Sequence, residues 1–214
     1  MKDLFEGMDV EAIIQLLPPD QHLHLLNVKF LVHFLAEKVA LCCHNEGQLK
    51  NVELKNYGEA AFFHDIGKAC ISNRLLTKTE KLTEKEFDML RMHTIFAKEL
   101  FVSIKQDKIH GVPQHLLSLA EDAAVYHHEW WNGEGYPYGY QGREIPFIAR
   151  ITAICDAYDA ITNTRVYRKA NSHAYACEEL MKYAGRQFDP DLVKIFLQYE
   201  EELLHRCPKV RFAL

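Results

Sequence analysis

Apolar residues recur every three or four positions along almost the whole chain, and no stretch alternates apolar with polar residues convincingly enough for a half-buried strand. That period sets the fold class: all-α, a compact multi-helix bundle. Breakers divide the helices. A short helix is expected over Val10 to Leu17, stopped by Pro18-Pro19, after which Asp20 is placed to cap a long helix running to about Cys43. Asn45-Glu46-Gly47 ends that helix. The next should carry Glu59 to Gly67, with Gly67 as a left-handed C-cap. Thr83-Glu84-Lys85-Glu86 reads as a capping box opening a helix to about Val102, and Pro113 suits the first turn of one ending at His128. Between Asn132 and Gly142, Gly133, Gly135, Pro137 and Gly139 lie among tyrosines, which predicts an irregular loop. Helical periodicity restarts at Ile145-Pro146 and runs to about Ile161. Ser172 and Asp189-Pro190 open two final helices, with Gly185 ending the first.

At 214 residues the chain is expected to form one domain over 20–205, with a short helical extension at 1–19 and a tail at 206–214. A net charge of -5 argues against a nucleic-acid polymer or an acidic membrane as partner, because either needs a positive field. No apolar run reaches the ~20 residues of a membrane span, and the start lacks the pattern of a secretory signal. The six cysteines show no C-x-x-C spacing, so reduced thiols in a cytoplasmic protein are expected.

The 12 histidines carry the chemistry. His64-Asp65 lies at a helix end, where the carboxylate can bridge two metal ions while the imidazole binds one. His93 lies on the helix of the capping box, and His127-His128-Glu129 closes the next one. Asp156 and Asp159 sit one turn apart in a very apolar run, a costly placement unless they are paired, hydrogen-bonded or metal-bound. Imidazoles and carboxylates on several helices suggest a metal centre of the kind that bundle cores build from facing helices.

The order of these motifs resembles the HD-GYP domain, a branch of the HD phosphohydrolases. The match runs through His64-Asp65-Ile66-Gly67-Lys68, His93, His127-His128-Glu129, Asn132-Gly133-Glu134-Gly135-Tyr136-Pro137, Asp156-Ala157-Tyr158-Asp159-Ala160 and Arg165-Val166-Tyr167-Arg168 to Phe188-Asp189-Pro190. The resemblance implies an HD-type bundle with an irregular Gly-Tyr-Pro loop. It also implies a phosphodiesterase that opens cyclic di-GMP to linear pGpG, with GMP as a further product, through attack by a metal-bound hydroxide. His24, His64, Asp65, His93, His127, His128 and Asp156 are the implied ligands of two or three divalent ions, iron or manganese. Asp65 would be the bridge and Asp20 a candidate for a third ion. His24 is chosen over His22 and His33 because the pattern Leu25-Leu26-Asn27-Val28 follows it. Lys68 and Asp65 are the implied catalytic pair, and Tyr136, Arg165, Arg168 and Asp159 are read as substrate-binding. Asp159 is equally suited to orienting a ligand His. A cyclic dinucleotide is thus the expected partner, with oligomeric state, a homodimer included, left open. The alternatives are a non-catalytic cyclic dinucleotide receptor and an HD phosphohydrolase acting on another cyclic nucleotide.

Overall fold

The computed structural model describes residues 4–42, 55–163 and 170–206, and these form eleven α-helices joined by turns and 3₁₀ segments. The break at 45–47 and the two arginines at 165 and 168 lie outside the described residues. After α1 (Val10–Ile14), the long α2 (Pro19–Cys42) runs through the bundle. It packs along α3 (Lys55–Ala61) and α8 (Phe147–Thr162), while α6 (His93–Lys105) packs on α7 (Leu117–Tyr126) and α3 on α7. No strand forms among the described residues.

Two apolar cores result. One gathers Leu31, Phe34 and Leu35 of α2 with Ile151, Tyr158, Leu180 and Phe196, from α8, α9 (His173–Lys182) and α10 (Pro190–Gln198). The other joins Phe5, Val10 and Ile13 to Leu25, Ile66 and Phe101, so the apolar residues of the first helix and the turn before it pack against the rest of the bundle. A buried ion pair, Arg150 to Asp189 at 2.6 Å, ties the start of α8 to the cap of α10, where Asp189 also accepts from the Asp191 backbone amide.

Several expectations need correction. Helix α2 begins at Pro19, so Asp20 sits inside its first turn and does not cap it. The stretch from 59 to 67 is not one helix. α3 stops at Ala61, tight turns carry His64 and Asp65, and Gly67 falls within a 3₁₀ segment (Ile66–Cys70) without a positive φ. What requires glycine there is close approach: a Cβ would lie 1.9 Å from the His93 carbonyl oxygen and 2.7 Å from the Ala97 amide nitrogen. After the one-turn α4 (Asn73–Leu76), the capping box opens α5 (Glu84–Arg91), but the helix breaks at Met92, whose amide bonds Met89, and α6 starts afresh at His93. A further helix, α11 (Glu200–Arg206), follows α10, held by the buried Leu203 and by Lys38 to Glu202 at 2.6 Å.

Gly67→Ala should therefore overpack the contact between the 3₁₀ segment and α6. A fall of about 1–3 kcal/mol in unfolding free energy is expected from urea melts. An unchanged midpoint would show that this approach is not what fixes His93.

Candidate metal centre

Asp65 is 1% exposed, and an ionised carboxylate at that depth is tolerated only if it is compensated. Its two oxygens face different groups. Oδ2 lies 2.5 Å from Lys68 Nζ, 3.3 Å from His64 Nε2 and 3.5 Å from His24 Nε2. Oδ1 lies 3.5 Å from His93 Nε2 and 3.9 Å from His127 Nε2. Burial alone would raise this carboxyl, but Lys68, His64 and the hydrogen bond from His24 hold it well below the usual carboxylate range.

Two donor sets share that carboxylate. On one side His24 Nε2 is 3.2 Å from His64 Nε2 and 3.1 Å from Asp156 Oδ1. On the other, the donor atoms of His93, His127 and His128 all lie within 4.8 Å of one another. His24 differs electrically from the imidazoles of the second set. Burial pulls His24 down, yet hydrogen bonds to Asp156, Asp159 and Asp65 outweigh it and hold the ring at about 10. Burial dominates in the second set, lowering His93 to about 4 and His128 to about 3, with His127 also well below its ordinary value. These three rings are neutral at physiological pH, the form that ligates metal.

Backbone chemistry fixes which nitrogen faces inward. His64 Nδ1 is 2.8 Å from the Ala61 carbonyl, His93 Nδ1 2.6 Å from that of Leu90 and His127 Nδ1 2.8 Å from that of Ala123. These carbonyls belong to the last turns of α3, α5 and α7, where oxygens lack intrahelical partners. Each therefore accepts an Nδ1–H and leaves Nε2 with its lone pair turned to the centre. Asp159 orients His24, with Oδ2 2.6 Å from Nδ1, and turns its Nε2 towards the carboxylates of Asp65 and Asp156. Among the described residues four buried side-chain polar atoms have no hydrogen-bond partner, and three of them meet here: Asp65 Oδ1, His93 Nε2 and His127 Nε2. All three are lone-pair donors, so a cation fits them and a hydrogen-bond acceptor does not.

Other site residues fall into place around this. Lys68 Nζ also donates to Gln21 Oε1 at 3.2 Å and reaches a cleft of about 740 Å³, whose walls include Asp20, Lys78, Lys81 and Phe87. Asp20 forms no group of three donors among the described residues. Asp159 is 2% exposed and engages His24 and Asn163, which suits it to orienting the imidazole rather than meeting a substrate. Tyr136 spends one ring face on His128 (centroids 4.8 Å apart, 24° between planes), and Arg91 lies 5.3 Å over its ring. Sequence reasoning missed the part played by Glu129. This buried carboxylate accepts the backbone amides of Tyr138, Gly139 and Tyr140 at 2.7–3.1 Å and so anchors the glycine loop. An acid directly before a glycine-rich run was the available signal.

The HD domain family matches residues 20–192. A cyclic di-GMP phosphodiesterase of Vibrio cholerae is 35% identical over 182 residues, covering 85% of this chain and 36% of the relative. A 3'3'-cGAMP-specific phosphodiesterase 2 of the same organism is 33% identical, covering 78% and 31%. The chain spans less than half the length of these curated relatives. Among solved structures, the HD domain of the L. monocytogenes phosphodiesterase PgpH, in complex with cyclic-di-AMP, aligns with a TM-score of 0.60 at 18% identity, covering 92% of this chain and 95% of that one. At that identity the likeness shows a shared fold.

Two donor sets on one carboxylate predict two distinct losses. His93→Ala should lower bound metal by one equivalent per chain, whereas Asp65→Ala should release metal from both sets, as read by elemental analysis of purified protein. Equal losses in the two variants would contradict a shared bridge.

Proposed function

The chain belongs to the HD domain family, as an HD-GYP member, and on that premise we propose that it is a metal-dependent phosphodiesterase opening cyclic di-GMP to linear pGpG, with GMP as a further product. The observation that carries the reading is the buried Asp65 carboxylate with a separate imidazole set on each oxygen, beside a lysine that opens onto a cleft.

His24, His64 and Asp156 would hold one divalent ion, His93, His127 and His128 a second, with Asp65 between them. Nitrogen and oxygen donors of this kind suit iron or manganese. When bound, such ions would supply polarisation of a non-bridging phosphoryl oxygen and a water nucleophile at neutral pH. The protein's own groups do the rest. Lys68 supplies a fixed positive charge at the border of centre and cleft, where a phosphoryl oxygen or the leaving oxygen gathers negative charge. Asp159 keeps His24 in one tautomer and orientation. Leu75, Leu76 and Phe87 among the lining of the cleft offer apolar surface for a base, and Lys78 and Lys81 also line it. Tyr136, stacked on His128, caps the centre on the loop that Glu129 holds. The arginines at 165 and 168 follow the Asp156 helix and are assigned to the substrate phosphates, for which planar forked donors are suited.

The substrate class rests on the curated relatives, and their names divide between cyclic di-GMP and 3'3'-cGAMP. Protein reconstituted with ferrous iron or manganese should hydrolyse cyclic di-GMP, Asp65→Ala should abolish turnover, and Lys68→Ala should lower kcat by about 100-fold or more. Turnover across a panel of cyclic dinucleotides ranks the substrates. Tight nucleotide binding without product, at full metal occupancy and with every metal tried, would make the chain a receptor instead.

A further inference from the structure

Apart from the residues around Asp65, a second group of potential metal-ligating side chains converges from two helices. His173 and Cys177 lie one turn apart on α9, so they share a face, and Glu200 opens α11. His173 and Cys177 are each 7% exposed. The donor atoms of the three lie within 4.8 Å of one another. Cys177 Sγ is 3.5 Å from His173 Nε2, and Glu200 Oε2 is 3.3 Å from the same nitrogen.

Those separations carry the argument. With bonds to zinc of about 2.3 Å for sulfur and 2.0–2.2 Å for nitrogen and oxygen, tetrahedral angles put N and S about 3.6 Å apart and N and O about 3.4 Å apart. The observed spacings match both edges to within about 0.1 Å. The outer contact is also present: Tyr158 Oη lies 2.8 Å from His173 Nδ1. With His173 Nδ1–H donating to that hydroxyl oxygen, the Nε2 lone pair is turned towards the remaining donors, the arrangement that an outer contact gives a metal-ligating histidine.

We propose that His173, Cys177 and Glu200 form a mononuclear site for a thiophilic divalent cation of the zinc class, separate from the Asp65 centre, with water completing the coordination. Thiolate, imidazole and carboxylate together select a borderline-soft ion, whereas the Asp65 sets offer only nitrogen and oxygen. The Cys177 thiol gives up its proton when the cation binds. Burial and the Glu200 carboxylate otherwise hold that thiol well above its ordinary range, so a thiolate signal there reports an occupied site. The site fastens the start of α11 to α9 and, through Tyr158, to the helix that carries Asp156 and Asp159. Its role is positional, and it stands whether or not the proposed hydrolysis does.

The test uses the whole chain titrated with Co(II), which replaces zinc and gives a thiolate-to-cobalt charge-transfer band in the near ultraviolet. Wild-type protein should develop that band, saturating with one equivalent of cobalt beyond those taken up by the Asp65 centre. Cys177→Ser should lose the band and one equivalent while still filling the Asp65 centre, and Glu200→Gln should weaken binding by more than the roughly 10-fold that a lost outer contact costs. Zinc-edge absorption on the zinc-loaded wild type, which needs no variant, should show one sulfur neighbour at about 2.3 Å. Absence of both the band and the sulfur neighbour from wild-type protein at full metal occupancy, or a band that survives Cys177→Ser, would overturn the proposal.

Discussion

A single carboxylate sets the terms for the rest of the molecule. Asp65 is almost wholly buried, and a charge at that depth, if left unpaired, costs several kcal/mol. The chain meets that cost by surrounding Asp65 with a lysine and four imidazoles drawn from α2, the turn after α3, α6 and the end of α7. Helices far apart in sequence must therefore end or turn at one point. The two apolar cores on either side supply the packing that brings them there.

The helix ends have a second use. Carbonyls in the last turns of α3, α5 and α7 have no partner within their helices, and each accepts the Nδ1–H of a histidine. One arrangement thus fixes three tautomers and aims three Nε2 atoms inward. It also brings the negative ends of helix dipoles towards a place suited to cations. The break at Met92 belongs to this logic, because it lets His93 begin a new helix against Gly67 while its ring reaches back to Leu90. His24 is the exception. Its Nδ1 goes to Asp159, one turn from Asp156 on α8, so that helix contributes both a donor and the group that orients a donor on α2.

Much of this was legible before any coordinates. Apolar periodicity gave the all-helical class and most helix starts, since capping residues such as Thr83, Ser172 and Asp189 act locally. Motif order pointed to the donors around Asp65, because a family signature records which distant residues meet. Long-range packing was not legible. Nothing local marks the end of α3 at Ala61 or the break at Met92, where the close approach of Gly67 to His93 and Ala97 decides the path. For Glu129 the sequence offered only an acid before a glycine-rich run, and its three amide partners, from Tyr138 to Tyr140, are set by the path of the loop. The spacing of His173 and Cys177 looks like an ordinary buried helix face until Glu200 arrives from α11.

The central claim is that one carboxylate joins two cations, and anomalous diffraction from crystals of the iron- or manganese-loaded protein tests it most directly. Two peaks should flank Asp65, one within about 2.0–2.3 Å of His24, His64 and Asp156 and the other equally close to His93, His127 and His128. A single peak that leaves one set empty, or metal bound away from Asp65 altogether, would contradict it.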